Sequence, residues 1–209
     1  MEDNYDLKNL RKKPKRKNSR AKGHGFERDI AKLLNNRFNT TEFSRTPGSG
    51  AFATTHSLPA HLKIYGDLIT PYKFRYCIEC KKGYNNINLY SLYNNSSEVW
   101  DFLRQTQKDS QKCGRIPMMI LKQDRKPALA FIPQYEAETP RKIDIHGLSY
   151  MSIIYKKDKY AGGEKWNIYK FADLLGLEDS KWFGGEEDSG GYYEGGVIES
   201  LDPNKRGSY

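Results

Sequence analysis

Apolar residues fall into short periodic runs separated by polar loops. Phe26, Ile30, Leu33, Leu34 and Phe38 recur at helical spacing and predict an amphipathic helix over residues 25–38. Glu27 lies at the edge of that face, about 20° around from Leu34 at roughly 100° per residue. Residues 42–45 form a short strand candidate, and Thr46-Pro47-Gly48-Ser49-Gly50 is a loop. A second strand opens at Gly66-Asp67-Leu68-Ile69, Pro71-Tyr72-Lys73 turns the chain, and residues 74–81 form a longer third strand. The second and third strands read as a hairpin. Residues 97–111 predict another amphipathic helix, with Ser97 as cap, Val99, Phe102 and Leu103 facing the core, and Gly114 as stop. Strands follow at 117–121 and 128–132, then one near 149–155 and a short helix over 169–175.

The order helix, three strands, helix, two strands predicts an α/β fold with a mixed sheet flanked by helices. At 209 residues, one domain with appended tails is expected. Residues 1–22 are almost without apolar content and read as a disordered basic arm. Residues 23–177 form the folded body, with a core at 23–133 and an extension at 134–177 that packs through Trp166 and Phe171 or places them in a dimer contact. Residues 178–209 read as an acidic, glycine-rich tail.

Charge sharpens this division. Of the net +9, the arm carries +6 and the tail −5, which leaves +8 on the body. A body that is basic by itself suits a polyanionic partner, because neutralising phosphates releases counterions. No apolar run approaches the roughly 18 residues of a membrane span, and no apolar segment follows the basic N-terminus, so a cytoplasmic protein is expected. The three cysteines, Cys77, Cys80 and Cys113, are too few for a disulfide framework. Cys77-Ile-Glu-Cys80 has the spacing of a zinc half-site, yet it lies in a strand-like run and has no second ligand pair, so these read as strand cysteines.

Alternation on the third strand puts Glu79 and Lys81 on one face and Ile78 and Cys80 on the other. Charges on a half-buried strand face need partners, and Asp67 on the neighbouring strand can supply one. Two carboxylates and an ammonium at a strand end can hold one hard cation and position a water. Mg²⁺ suits such a set, because it takes few carboxylates and keeps waters or phosphate oxygens as its other ligands. An exposed hairpin with a Glu79–lysine ion pair fits the same spacing.

The sequence resembles the PD-(D/E)XK nucleases and, among them, the Holliday junction resolvases of archaeal and phage type. The similar pieces are Gly23-His24-Gly25-Phe26-Glu27-Arg28-Asp29-Ile30, Ser44-Arg45-Thr46-Pro47-Gly48-Ser49-Gly50, Gly66-Asp67-Leu68-Ile69, Cys77-Ile78-Glu79-Cys80-Lys81, and Gln105 on the following helix. They span about residues 20–133 in the order that the resemblance requires. Gly66 stands where these proteins usually carry proline, and residues 56–64 are longer than the resemblance leads one to expect.

The resemblance implies a restriction-endonuclease-like core of αβββαβ order. It implies metal ligation by Asp67, Glu79 and the Cys80 carbonyl, with Mg²⁺ as cofactor and Mn²⁺ able to substitute. Lys81 would be the catalytic lysine, Glu27 an auxiliary acid, and Gln105 (or Gln107, by periodicity) a further site residue. Arg45 and Ser49 would contact phosphate, and Lys13, Lys15, Arg16 and Lys17 of the arm would track DNA. The expected activity is a phage-type endonuclease that cuts four-way junctions in recombination or repair. Two symmetric cuts on a junction would require a two-fold homodimer. The competing expectations are a nuclease acting on other branched or linear DNA, and a non-catalytic basic DNA-binding protein.

Overall fold

The computed structural model describes residues 19–47, 65–93, 97–134, 145, 147–155 and 164–184. The chain folds as α1 (Ser19–Phe38), β1 (Ser44–Arg45), β2 (Leu68–Ile69), β3 (Tyr76–Lys82), α2 (Leu89–Tyr93), α3 (Glu98–Cys113), β4 (Ile116–Lys122), β5 (Leu129–Pro133), β6 (Tyr150–Tyr155), β7 (Glu164–Lys170) and α4 (Phe171–Leu174). A single 3₁₀ turn at Asp179–Lys181 follows.

Five strands form one sheet in the order β3-β4-β5-β7-β6. The β3–β4 pair is parallel and the other pairs are antiparallel, so the sheet is mixed as expected. A parallel pair needs a crossover, which α2 and α3 provide. Ser97 accepts the Val99 N–H at the start of α3, and Gly114 closes it in a left-handed conformation (φ 69°), both as the sequence predicts.

Side chains alternate between two cores. Ile78, Cys80, Met118, Ile120, Ala130 and Ile132 face α1 and α4. Met119, Leu121, Phe131, Trp166 and Ile168 face α3. Both faces of β3 and β4 are therefore covered, and the near-continuous apolar run of β4 is the expected signature of a doubly buried strand.

Several expectations need correction. The second and third strands are not a hairpin: β2 pairs antiparallel with β1 in a separate two-stranded sheet. Two-residue strands carry too little pattern to specify a partner, and the backbone bond Asp67 N–H to Ile78 O (2.9 Å) is what ties this element to β3. Helix α1 begins at Ser19, inside the segment read as a disordered arm. Its first turn is exposed and made of good helix formers, so it leaves no apolar period. Leu33 is 45% exposed, because the buried face is centred on Ile30 and Leu34 and takes in Glu27 and Ala31 instead.

Strand β7 was not anticipated, and the helix expected from residue 169 begins at Phe171. Trp166 and Phe171 are core residues. The packed body also runs past residue 177. Trp182 and Phe183 join Phe38, Phe43, Phe74 and Tyr76 in an aromatic cluster with ring centroids 4.9–6.4 Å apart. Backbone bonds from Arg75 N–H to Trp182 O and from Gly184 N–H to Lys73 O stitch this segment down.

Candidate active site

The free edge of β3 organises the site. Among the described residues only β4 pairs with β3, and residues 78 and 80 direct their backbone groups away from it. Asp67 fills that edge. Its N–H donates to the Ile78 carbonyl (2.9 Å), its Oδ2 accepts the Cys80 N–H (2.8 Å), and its own carbonyl accepts the Thr46 N–H (2.9 Å). The carboxylate is thereby held beside β3 by three bonds that do not depend on its charge partner. Because a residue's N–H and C=O leave a strand on the same side, the Cys80 carbonyl points toward the same edge.

Gly66 makes this approach possible. Its φ is +78°, and a Cβ there would lie 2.6 Å from the Ile78 carbonyl oxygen. Proline, with φ fixed near −65°, cannot take this conformation, so the residue that the resemblance leads one to expect here does not fit. The position demands glycine.

On the α3 face, Glu79 is 4% exposed. Its Oε1 accepts Lys81 Nζ at 2.7 Å and Gln105 Nε2 at 3.1 Å, while Gln105 Oε1 accepts Lys81 Nζ at 3.2 Å. One amide thus braces both charged groups. The Lys81 ammonium also sits 4.9 Å above the Phe102 ring, a contact the sequence concealed because Phe102 read only as a core residue. Gln107, the other candidate from periodicity, contributes its backbone carbonyl to Ser110.

Glu27, on α1, is also buried and accepts Arg45 Nε at 2.6 Å. Arg45 is therefore engaged by protein. Ser49, Lys13, Lys15, Arg16 and Lys17 lie outside the described residues.

The electrostatics follow from burial. Burial, reinforced by the Glu79 charge, raises the Asp67 carboxyl from 3.8 to about 7, although the Cys80 N–H opposes this. Burial also raises Glu79, against the pull of Lys81. Burial by itself would lower Lys81, but the Glu79 carboxylate and its hydrogen bond, with Asp67 beyond, hold the ammonium above its usual range. Among the described residues, three carboxylates (Glu27, Asp67 and Glu79) share two ion-paired cations, Arg45 and Lys81.

Hard oxygen donors suit a divalent cation, and Asp67, Glu79 and the Cys80 carbonyl are the groups that could hold one. Among the described residues, no three His, Cys, Asp or Glu side chains gather as a ready-made metal cluster, so the set rests on two carboxylates and backbone. Cys77 and Cys80 are free and buried, and their three-residue spacing turns them to opposite strand faces. They do not form a half-site.

The fold thus brings together an acid beside β3, a Glu-x-Lys on that strand and a glutamine on the crossover helix. The family described as "Phage putative PDDEXK endonuclease" matches residues 18–183, and the chain belongs to it. The architecture is restriction-endonuclease-like. The chain is also similar to "Protein D14" of Escherichia phage T5, 32% identical over 114 residues that cover 51% of this chain and 66% of that protein. No solved structure matches. No described helix is long and apolar enough to cross a membrane.

Proposed function

We propose that the chain is a Mg²⁺-dependent DNA endonuclease that acts on branched DNA, with the four-way junction as its substrate and a homodimer as its active form. The observation that carries this reading is the pair of buried carboxylates at β3, Asp67 at the strand's edge and Glu79 on its α3 face beside a charged lysine. The basic body supports DNA as the polyanion. The junction rests on the resolvase resemblance of the segments around Glu27, Arg45, Asp67, Glu79 and Gln105.

Asp67, Glu79 and the Cys80 carbonyl would hold the divalent cation, Mg²⁺ or in its place Mn²⁺, which would supply Lewis acidity at the scissile phosphate. The chain's own groups do the rest. Lys81, held protonated by Glu79, orients the attacking water and offsets charge that builds on the phosphoryl oxygens. The water oxygen bonds to phosphorus as the bridging P–O bond breaks; the water gives up one proton to solvent, and the leaving oxygen takes one from solvent. Gln105 keeps Glu79 and Lys81 in register. Glu27 orients Arg45 toward the phosphate and reaches the waters of the site. Ser49 and the arm residues Lys13, Lys15, Arg16 and Lys17 add phosphate contacts.

The test is cleavage of a labelled mobile four-way junction beside linear duplex and single strand, in Mg²⁺ or EDTA. Paired symmetric nicks confined to the junction support the resolvase. Cutting of all three DNAs keeps the nuclease and removes the junction specificity. Binding without cutting in Mg²⁺ or Mn²⁺ removes the catalytic reading in favour of a basic DNA-binding protein.

A further inference from the structure

Two non-glycine residues with large side chains adopt left-handed backbone at one corner of the molecule, next to the site. Tyr84 has φ +53° and Arg125 has φ +60°, a conformation that such residues seldom take and that persists only where the surroundings enforce it. The surroundings do enforce it. Gln123 Nε2 donates to the carbonyls of Tyr84 and Ile87 (2.8 Å each), Asn85 Nδ2 donates to Asp124 Oδ2 (2.9 Å), and Asp124 N–H donates to Asn85 Oδ1 (2.9 Å). The loop after β3 and the turn between β4 and β5 are thus interlocked, and each presents one side chain from a strained position.

This corner is continuous with the site. The Tyr84 ring meets Phe102 edge-on at 4.7 Å, and Phe102 lies beneath the Lys81 ammonium. From Tyr84 the chain turns directly into α2. Ile87 and Leu92 anchor α2 to the core, while Leu89, Tyr90 and Tyr93 are 65%, 79% and 86% exposed. Three large side chains are thus left mostly in water on a five-residue helix. The corner is also basic. Lys82, Lys122, Arg125 and Lys126 come from its strands and turn, and Lys22 of α1 is near enough to act on Asp124.

We infer that Tyr84, Tyr90 and Tyr93 form a stacking platform for DNA bases whose faces are exposed beside the scissile phosphate, as at a branch point or in a single-stranded segment. The proposal rests on the nuclease reading of Glu79 and Lys81, and it names the feature of DNA that the site selects. Aromatic rings beside cations that track a backbone are the two ingredients of unpaired-strand binding. Stacking needs a free base face, which continuous duplex does not offer. Lys82, Arg125 and their neighbours supply phosphate contacts common to every DNA, and the tyrosines supply the discrimination.

The experiment measures binding of the full chain in EDTA, by fluorescence anisotropy, to a splayed-arm DNA and to a continuous duplex of equal length at one salt concentration. A 2-aminopurine in the unpaired arm reports stacking. Wild type is expected to bind the splayed DNA at least about tenfold more tightly and to quench the probe, since one lost stack amounts to about tenfold or more. Tyr90→Ala/Tyr93→Ala, which alters exposed positions only, is expected to bring the ratio close to one with duplex affinity unchanged. Tyr72→Ala, an exposed tyrosine elsewhere, should leave the ratio intact. Equal binding of the two DNAs by wild type, or an unchanged ratio in the double variant, would overturn the inference. So would a double variant that changes only the oligomeric state, because the face would then belong to a second copy. Cleavage in Mg²⁺ separates the two claims: equal cutting of both DNAs sinks the platform and keeps the nuclease, whereas selective binding with no cutting does the reverse.

Discussion

The Asp67 carboxylate accepts the Cys80 backbone N–H at 2.8 Å, which fixes an acid from one side of the Pro71-Tyr72-Lys73 turn against the strand that carries Glu79 and Lys81. That bond needs an acceptor but no charge. Asp67→Asn is therefore expected to fold with the β3 edge intact and to lose the charge a cation requires. Thermal unfolding should show wild type stabilised by millimolar Mg²⁺ or Mn²⁺ and Asp67→Asn unaffected by either. An equal Mg²⁺ shift in both proteins would place the cation elsewhere.

Gly66 should tolerate no other residue. Gly66→Ala combines a positive φ with a Cβ 2.6 Å from a backbone oxygen that cannot move without shifting β3. The expected loss is about 2 kcal/mol or more, read by denaturant unfolding. A loss under about half a kilocalorie would mean that the approach of Asp67 to β3 is looser than described.

The metal-free protein should lose stability as pH rises. The Asp67 carboxyl titrates at about 7 when folded against 3.8 as its ordinary value, so the folded state binds its proton more tightly. The resulting contribution is fully present below about 4 and disappears as pH climbs through about 7, and Glu79, raised by burial, acts in the same direction. The change is on the order of a few kcal/mol. Unfolding in EDTA at pH 5 and pH 8 measures it, and Asp67→Asn should flatten much of the difference. No flattening would show that other groups carry the dependence.

Gln105 and Gln107 stand two residues apart on α3, and only Gln105 reaches Glu79 and Lys81. Gln105→Ala should reduce kcat by roughly ten- to a hundredfold with little change in KM, since it frees the geometry of the reacting groups. Gln107→Ala should behave as wild type. Steady-state cleavage kinetics decide between them, and equal losses would contradict the bracing role.

Much of the site was legible because strand alternation is strict. Once residues 74–81 read as a strand, Glu79 and Lys81 had to share a face, and they do. Helical period carried Glu27 to within about 20° of Leu34, and the structure buries both. The pairing of β1 with β2 was not legible. Two residues on each side carry no register, and the bonds that hold Asp67 in place come from backbone positions in Thr46, Ile78 and Cys80. Strand β7 does alternate, with Trp166 and Ile168 inward, and Gly162-Gly163 stands before it as a turn signal, so this strand was legible in the sequence. Trp182 gave no periodic signal, because the segment that carries it is a 3₁₀ turn and an isolated bridge.

The most direct test of the account is phosphodiester cleavage by wild type and Glu79→Gln on a panel of branched, duplex and single-stranded DNA in Mg²⁺, Mn²⁺ or EDTA. The folded state of each protein is verified by circular dichroism. The account predicts that wild type cuts at least one DNA only with metal and that Glu79→Gln, still folded and still binding DNA, loses at least about a hundredfold in rate. Metal-independent cutting, or a Glu79→Gln variant as active as wild type, would contradict the assignment of catalysis to the β3 edge.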